Sequence, residues 1–519
     1  MSEPQLAGLV ARAVDRLQSG VFGLGPARNR YTVERGLRVP TRDGAVLVTD
    51  HYAPAAEALG TVLIRSPYGR GLPESLFHGR MLAGRGYHVL VQSVRGTGGS
   101  TGEFRPIVQE AADAQDTVGW LRVQSWFDGS LATLGGSYLG WTQWALLQDP
   151  PPELRASVIV VGPHDFGRAI RGTGALALAD FLGWSATVED RGIRQLLAAR
   201  KRTAAVLEKR LPVTSALNGR GAWFPDWLAH DDLADPFWAP YDASSALRRT
   251  SAPTLLVGGW RDIFVEQTIE QYHALSEHNP DVALTIGPWT HLDTAVKASK
   301  VVDAHALAWF DRHLGQRGGQ RQAEVRIHVT GAGEWRDLPS WPPKTADWAL
   351  YPNANGQLTE SGGDGRVEFR YDPEDPTPAV GGHHMSPGAG SRDNRKLEER
   401  ADVVTFTSDP LPGDLEVFGS PRVRLDLRPV DAARGVFVRI CDVDPKGRSW
   451  NISETFHQVA GTVVVDSSPC AHRFRAGHRI RLQVSGGAYP RYERNRQATR
   501  YVIECPGSSV HLPVSRVTS

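Results

Sequence analysis

Six short apolar runs constrain this chain more than any other feature: "TVLIR" (61–65), "YHVLVQSV" (87–94), "LATL" (131–134), "ASVIVV" (156–161), "TLLVGG" (254–259) and "ALTIG" (283–287). Each is too brief for a helix, rich in Val, Ile and Leu, and continuously rather than alternately apolar. Strands of that texture are covered on both faces, as in a parallel sheet. Helical patterns fall between them, notably "EAADAQDTVGWLRVQ" (110–124) and "TIEQYHALSEH" (268–278). Strand–helix alternation of this kind predicts an α/β doubly wound domain.

The alternation breaks from about 166 to 245, where "LLAARKRTAAVLEKRL" and "AWFPDWLAHDDLADPFW" read as helices with no strand-like run between them. That stretch is expected to be an inserted helical cap. After 345 the period changes to two, in "RVRLDLRP" (422–429), "VFVRICDVD" (436–444) and "HRIRLQVSG" (478–486), between Gly, Pro and Asp turns. An all-β unit of two packed sheets, a jelly roll, follows from that pattern. A chain of 519 residues is too long for one ordinary core.

In an open parallel sheet, ligands bind beyond the carboxyl ends of the strands. Four reactive side chains follow such ends: Tyr68 after "TVLIRSP", Ser137 after "LATLGG", Asp262 after "TLLVGGWR" and His291 after "ALTIGPWT". The order Ser, Asp, His is that of α/β-hydrolases. A serine hydroxyl needs a base to take its proton, His291 is placed to be that base, and Asp262 would fix the imidazole. The Tyr138 N–H and the Tyr68 phenol would then receive the oxyanion. Taken alone, "LGGSYLGW" leaves Ser137 either a nucleophile or a turn residue, because its spacing is G-x-S-x-x-G rather than the commoner G-x-S-x-G.

The expected division is an N-terminal helical arm (1–30), an α/β-hydrolase domain (31–165 and 246–344), a helical cap (166–245) and a β jelly-roll domain (345–519). The segment "MSEPQLAGLVARAVDRLQSG" has apolar positions at Leu6, Val10, Val14 and Leu17, the spacing of a short amphipathic helix. It carries acids and no long apolar run, so it reads as neither signal peptide nor anchor, and a cytoplasmic location is expected. A net charge of +1 gives no electrostatic case for nucleic acid or an anionic membrane as partner. The three cysteines, Cys441, Cys470 and Cys505, do not form a disulfide framework. No cofactor and no metal is called for. "GTGGSTG" (96–102) lacks dinucleotide-binding spacing, with Arg95 expected to buttress the elbow, and His383-His384 reads as a solvated loop pair.

The motifs "RSPYGR", "VRGTGGSTGEF", "GGSYLGWTQW", "GGWRDIFVEQ", "IGPWTH", "WFDRHL" and "EERADVVTFTSDPLPGDLEVFGSPRVRL" resemble the cocaine esterase/X-Pro dipeptidyl-peptidase (CocE/NonD) family of serine hydrolases. The likeness runs from about Arg38 to near the C-terminus. It implies an α/β-hydrolase core, helical cap and C-terminal jelly roll, with Ser137, Asp262 and His291 as triad and Tyr68 and the Tyr138 N–H as oxyanion hole. The family elbow, G-x-S-Y-x-G, also accounts for Gly140. In the cap, "FLGWSA" resembles a stretch whose tryptophan lines the acyl pocket, so Trp184 and Phe264 are candidate substrate-binding residues, or else ordinary core aromatics. Where the family pocket has a further tryptophan, this chain has "RAIRGTG", so a benzoyl preference does not carry over. The substrate expected is a small ester or amide with an apolar or aryl acyl group, and the oligomeric state, homodimer included, is left open. An X-Pro dipeptidyl-peptidase or an α-amino-acyl or β-lactam acylase is the alternative, for which the cap acids Asp226, Asp231, Asp232 and Asp235 are of interest. A non-catalytic, ligand-binding jelly-roll protein is the alternative from another class.

Overall fold

The computed structural model describes residues 20, 23–24, 27, 29–71, 75–189, 193–209, 212–315, 324–428 and 434–516. The amphipathic stretch from Leu6 to Leu17 lies outside them. Ten strands form the first sheet: β1 Tyr31–Pro40, β2 Val46–Pro54, β3 Thr61–Ser66, β4 His88–Ser93, β5 Leu131–Gly136, β6 Leu154–Val160, β7 Thr254–Arg261, β8 Val282–Thr290, β9 Val325–Val329 and β10 Glu334–Leu338. Their order is β1-β2-β4-β3-β5-β6-β7-β8-β9-β10. From β4 through β3, β5, β6, β7 and β8 to β9 every pairing is parallel.

The six apolar runs are the six central strands, and their side chains are almost wholly buried, as a sheet covered on both faces requires. The sheet is wider than those runs suggest. β1 and β2 join one edge antiparallel and β10 the other. β1 alternates half-buried with exposed residues, so it carries the weaker signal of an edge strand. Helices Glu110–Leu121 and Val265–Ser276 occupy the expected intervals. Between β6 and β7 the chain is helical, with Phe166–Arg171, Leu178–Thr187, Ile193–Lys209 and Phe224–Ala229 forming a cap.

The C-terminal region is built of β-strands whose pairings with one another are antiparallel, with one short helix, Arg395–Glu398, among the described residues. One of its sheets runs Leu358–Thr359, Ala346–Pro352, Thr499–Arg516, Leu415–Gly419, Cys470–Phe474, with three further strands paired alongside. The other runs Val403–Thr407, Arg479–Ser485, Arg434–Val443, Ser449–Val459. Alternate residues of both sheets, among them Phe406, Val423, Leu425, Val438, Ile440, Leu482 and Leu512, form a second hydrophobic core. The molecule is thus an α/β-hydrolase core with an inserted helical cap and a C-terminal jelly roll. All three cysteines are free and buried within the jelly roll.

Charged side chains join the two cores behind the sheet. Arg261, at the end of β7, is buried and donates to the carbonyls of Asn451 (3.1 Å) and Ile452 on a jelly-roll strand. His383 hydrogen-bonds through Nε2 to the Trp260 carbonyl at 2.8 Å and through its backbone N–H to Glu454 at 3.0 Å. This corrects the sequence expectation of a solvated loop pair. His383 and His384 are both buried, because the Pro/Gly loop carrying them is pressed between the two domains. Glu454 also accepts from Arg439 (2.8 Å) and from Arg491.

Burial pushes the Glu454 carboxyl up, but Arg439, Arg491 and His383 together hold it well below the usual carboxylate range. A depressed acid contributes stability in full above its unfolded value and loses it only as pH falls through its folded value. Replacing Glu454 by Gln leaves two buried guanidinium groups without their carboxylate, which typically costs about 3–5 kcal/mol. Thermal unfolding of Glu454→Gln at pH 7 should therefore begin well below that of the parent. The difference should persist down to pH 5, since the carboxylate stays ionised throughout that window.

Candidate active site

The strand β5 ends in Gly135-Gly136, and the chain reverses at once into the helix Tyr138–Leu147. Ser137, at the corner, has φ 58° and ψ −121°, a conformation that non-glycine residues seldom adopt. The flanking glycines make the reversal possible by removing side chains. A Cβ on Gly135 would stand 2.4 Å from the Leu139 Cβ, and one on Gly140 would stand 2.5 Å from the Gly162 Cα. Gly140, three residues after the serine, therefore lets the helix pack directly on the chain leaving β6. The Ser137 N–H donates to the Val160 carbonyl at 2.9 Å, which pins the corner to that neighbouring strand.

His291 begins a short helix after β8, and Asp262 follows β7. The imidazole Nε2 lies 2.9 Å from Ser137 Oγ, and Nδ1 lies 2.5 Å from Asp262 Oδ1. Asp262 is fully buried, and its second oxygen accepts the Phe264 N–H at 2.9 Å. With Nδ1–H directed to the carboxylate, Nε2 is left as the acceptor facing the serine. Three residues separated by up to 154 positions thus form one hydrogen-bonded line at the carboxyl edge of the sheet.

The two sequence-predicted oxyanion donors also come to this edge. Tyr138 is the first residue of its helix, where a backbone N–H has no intrahelical acceptor. Its side chain turns inward, donating to Glu110 (2.7 Å) and accepting from the Ile107 N–H (2.9 Å). Glu110 in turn lies 3.0 Å from the Arg65 guanidinium. Burial pushes both the Tyr138 phenol and the Glu110 carboxyl up, so the phenol stays neutral. Tyr68 is 42% exposed, and its hydroxyl accepts from the Trp184 indole at 3.1 Å.

A cavity of about 620 Å³ opens beside Ser137 and is lined by Tyr68, Trp184, His291, Leu139, Val302 and Met385, among others. Its mouth is apolar: Tyr68, Leu292 and Val296 all line it and are all exposed. Trp184 stacks on the Tyr138 ring with centroids 5.9 Å apart, and on Trp227 at 6.2 Å. Phe264 takes the second of the two places left open for it, that of a core aromatic. It is 4% exposed and its ring meets the imidazole edge-on at 5.3 Å, so it steadies His291 while the cavity lies elsewhere. The cap acids do not reach the cavity either. Asp226, Asp231 and Asp232 are exposed, and Asp235 caps a turn through the Phe237 N–H.

The sequence reading missed the inner supports. Arg95 bridges Asp43 and Asp113, both at 2.6 Å, and so holds the helix Glu110–Leu121. The arginine that reaches the elbow is Arg65, the charged residue closing the apolar run "TVLIR", and that contrast was its signal. Asp303 and His78 in the cavity wall were also missed. Asp303 shares an apolar helical face with Ala306, Leu307 and Phe310, the pattern that marks an acid facing inward. Among the described residues, no group of three or more His, Cys, Asp or Glu is arranged to hold a metal ion, and no helix is long and apolar enough to cross a membrane.

The comparisons agree with this architecture. Residues 43–293 match the X-Pro dipeptidyl-peptidase (S15 family) profile, and residues 317–508 match the X-Pro dipeptidyl-peptidase C-terminal non-catalytic domain. The chain is 29% identical over 534 residues to the cocaine esterase of Rhodococcus sp. (strain MB1 Bresler), covering 90% of this chain and 92% of that one. Among solved structures, an α-amino acid ester hydrolase superposes with TM-score 0.78 at 22% identity, covering 94% of this chain and 97% of that one. A CocE/NonD family hydrolase from Staphylococcus aureus gives 0.72 at 16% identity, covering 93% and 94%.

The Gly140 contact generates a test. Gly140→Ala forces a methyl group against the Gly162 backbone, and such overpacking typically costs about 1–3 kcal/mol. A lowered denaturant midpoint is expected, with a fall in turnover larger than any loss of folded protein explains, because the displaced helix carries the Tyr138 N–H.

Proposed function

The chain belongs to the cocaine esterase/X-Pro dipeptidyl-peptidase (CocE/NonD) family and is a hydrolase of the esterase type, and on that premise we propose that Ser137, His291 and Asp262 are its catalytic triad. The observation that carries this reading is the hydrogen-bonded line from Ser137 Oγ through the imidazole to the buried Asp262. His291 Nε2 takes the hydroxyl proton as Ser137 Oγ attacks the ester carbonyl. Asp262 accepts from Nδ1–H throughout and stabilises the imidazolium. The carbonyl oxygen becomes an oxyanion, met by the Tyr138 N–H and the Tyr68 hydroxyl, each donor of this kind being worth about 3 kcal/mol. The tetrahedral intermediate collapses, His291 passes the proton to the leaving alcohol, and an acyl-enzyme remains on Ser137. Water activated by the same imidazole then releases the acid and restores the serine.

The strained corner supports the nucleophile role, since such backbone strain clusters at functional sites. The apolar mouth and Trp184 favour an apolar or aryl acyl group. The X-Pro dipeptidyl-peptidase and α-amino-acyl readings call for carboxylates near the acyl group to hold a free α-amine. Of the four cap acids of interest in the sequence, Asp226, Asp231 and Asp232 face solvent and Asp235 caps a turn, so these four give those readings no support over an ester.

Ser137→Ala should lower kcat toward neutral p-nitrophenyl esters by about 10⁴- to 10⁶-fold while leaving the unfolding midpoint near that of the parent. A fluorophosphonate should label the parent at Ser137 and leave the variant unlabelled. Full turnover by Ser137→Ala would refute the assignment.

A further inference from the structure

A second cavity, of about 500 Å³, lies between the α/β core and the jelly roll. On the core side it is bordered by Arg261, which precedes Asp262, and by Thr290 and Leu292, which flank His291. Arg392, Asp442 and Trp450 border it on the side of the C-terminal region. Among the described residues that line it, only Leu292 is shared with the cavity beside Ser137.

The charges of this wall do not balance. Lys297 pairs with Asp293 at 2.7 Å. Asp442 is bonded to two imidazoles, His472 at 3.0 Å and His478 at 2.7 Å. The two guanidinium groups have only carbonyls. Arg261, 4% exposed, donates to the carbonyls of Trp260, Asn451 and Ile452, and Arg392 donates to those of Pro387 (3.0 Å) and Gly388 (3.2 Å). Among the described residues neither has a carboxylate within ion-pair distance. A carbonyl satisfies an N–H but not the charge behind it, and a buried charge is normally paired. The acid whose field reaches Arg261 is Glu454, which already serves Arg439 and Arg491. Burial accordingly pushes the Arg261 guanidinium below its ordinary range, and burial also keeps His472 neutral at pH 7. Arg261, Lys297 and Arg392 therefore stand against Asp293 and Asp442, which leaves the wall one positive charge in excess.

We propose that this cavity at the domain junction binds a small organic carboxylate, its anionic end held by Arg261 and Arg392 and its apolar part by Pro288, Trp450 and Ile452. One carboxylate supplies the single negative charge that the wall lacks, and its two oxygens suit the planar fork of a guanidinium. A phosphate group, with nearly two charges, would overshoot. The bound acid ties the residue before Asp262 to the C-terminal loop that carries Arg392. This site is separate from the one beside Ser137, and the inference does not rest on the esterase reading.

The test is a calorimetric titration of the full chain at pH 7 and fixed ionic strength. It compares cyclohexanecarboxylate with cyclohexanecarboxamide, which has nearly the same shape without the charge. The parent is expected to bind the acid more tightly than the amide by about ten- to hundredfold. Arg392 is exposed and its side chain bonds only to carbonyls of its own loop, so Arg392→Gln should fold as the parent does. That variant should bind the acid about tenfold more weakly and the amide about as before. Arg261→Lys keeps the charge but loses the fork, and should weaken the acid as well. Arg261 is buried, and should that variant not fold, Arg392→Gln carries the test. Binding beside Ser137 has a different signature. The Asp303 carboxyl in that wall disfavours an anion, so the amide would bind better there and Arg392→Gln would change neither affinity. No binding of the acid, equal affinity for acid and amide, or an acid affinity that Arg392→Gln leaves unchanged overturns the inference.

Discussion

The reversal at Ser137 is the constraint around which the site is arranged. A strand that ends and a helix that begins within one residue leave no room for side chains on the inner curve, so Gly135 and Gly140 are fixed by contact distance rather than by flexibility. The strain of a positive φ at a serine persists only because neighbours over-determine it. The Val160 carbonyl holds the corner from one side, and the buried Arg65–Glu110–Tyr138 group holds the helix from the other. The result is a serine set at the corner, directly before a helix whose first residue, Tyr138, has a backbone N–H with no intrahelical acceptor.

The imidazole and carboxylate meet that hydroxyl because β5, β7 and β8 are parallel and end at one edge. Parallel strands bring distant loops together, and here the jelly roll helps to fix them from behind. Arg261 and the Trp260 carbonyl, immediately before Asp262, are bonded to jelly-roll residues. The C-terminal domain also contributes Met385 to the cavity, on a loop tied to the cap through the Asp180 carboxylate at 2.7 Å. A domain that contributes none of Ser137, His291 and Asp262 is therefore part of the frame that aligns them and of the wall of the cavity beside them.

Phe264 and Trp184 show how two aromatics with similar sequence prospects diverge in space. Trp184 is half-buried, bonded to Tyr68 and stacked on Tyr138, so it borders the cavity. Phe264 lies two residues from Asp262 and is drawn into the packing around His291. The cavity that results is apolar at its mouth and charged in its wall.

The central sheet, the helical interruption and the change to period-two β-structure were legible because hydrophobic periodicity is a local property of the chain. The four strand-end residues were legible for a related reason, since their place after each apolar run does not depend on how far apart they are in sequence. The edge strands β1 and β10 were not, because half-exposed strands carry no continuous apolar run. Burial of His383-His384, the choice of Arg65 over Arg95 as the elbow's support, and the exposure of Asp303 to the cavity were decided only by tertiary structure. Each depends on which surface a distant segment covers, and a local pattern of residues does not contain that information.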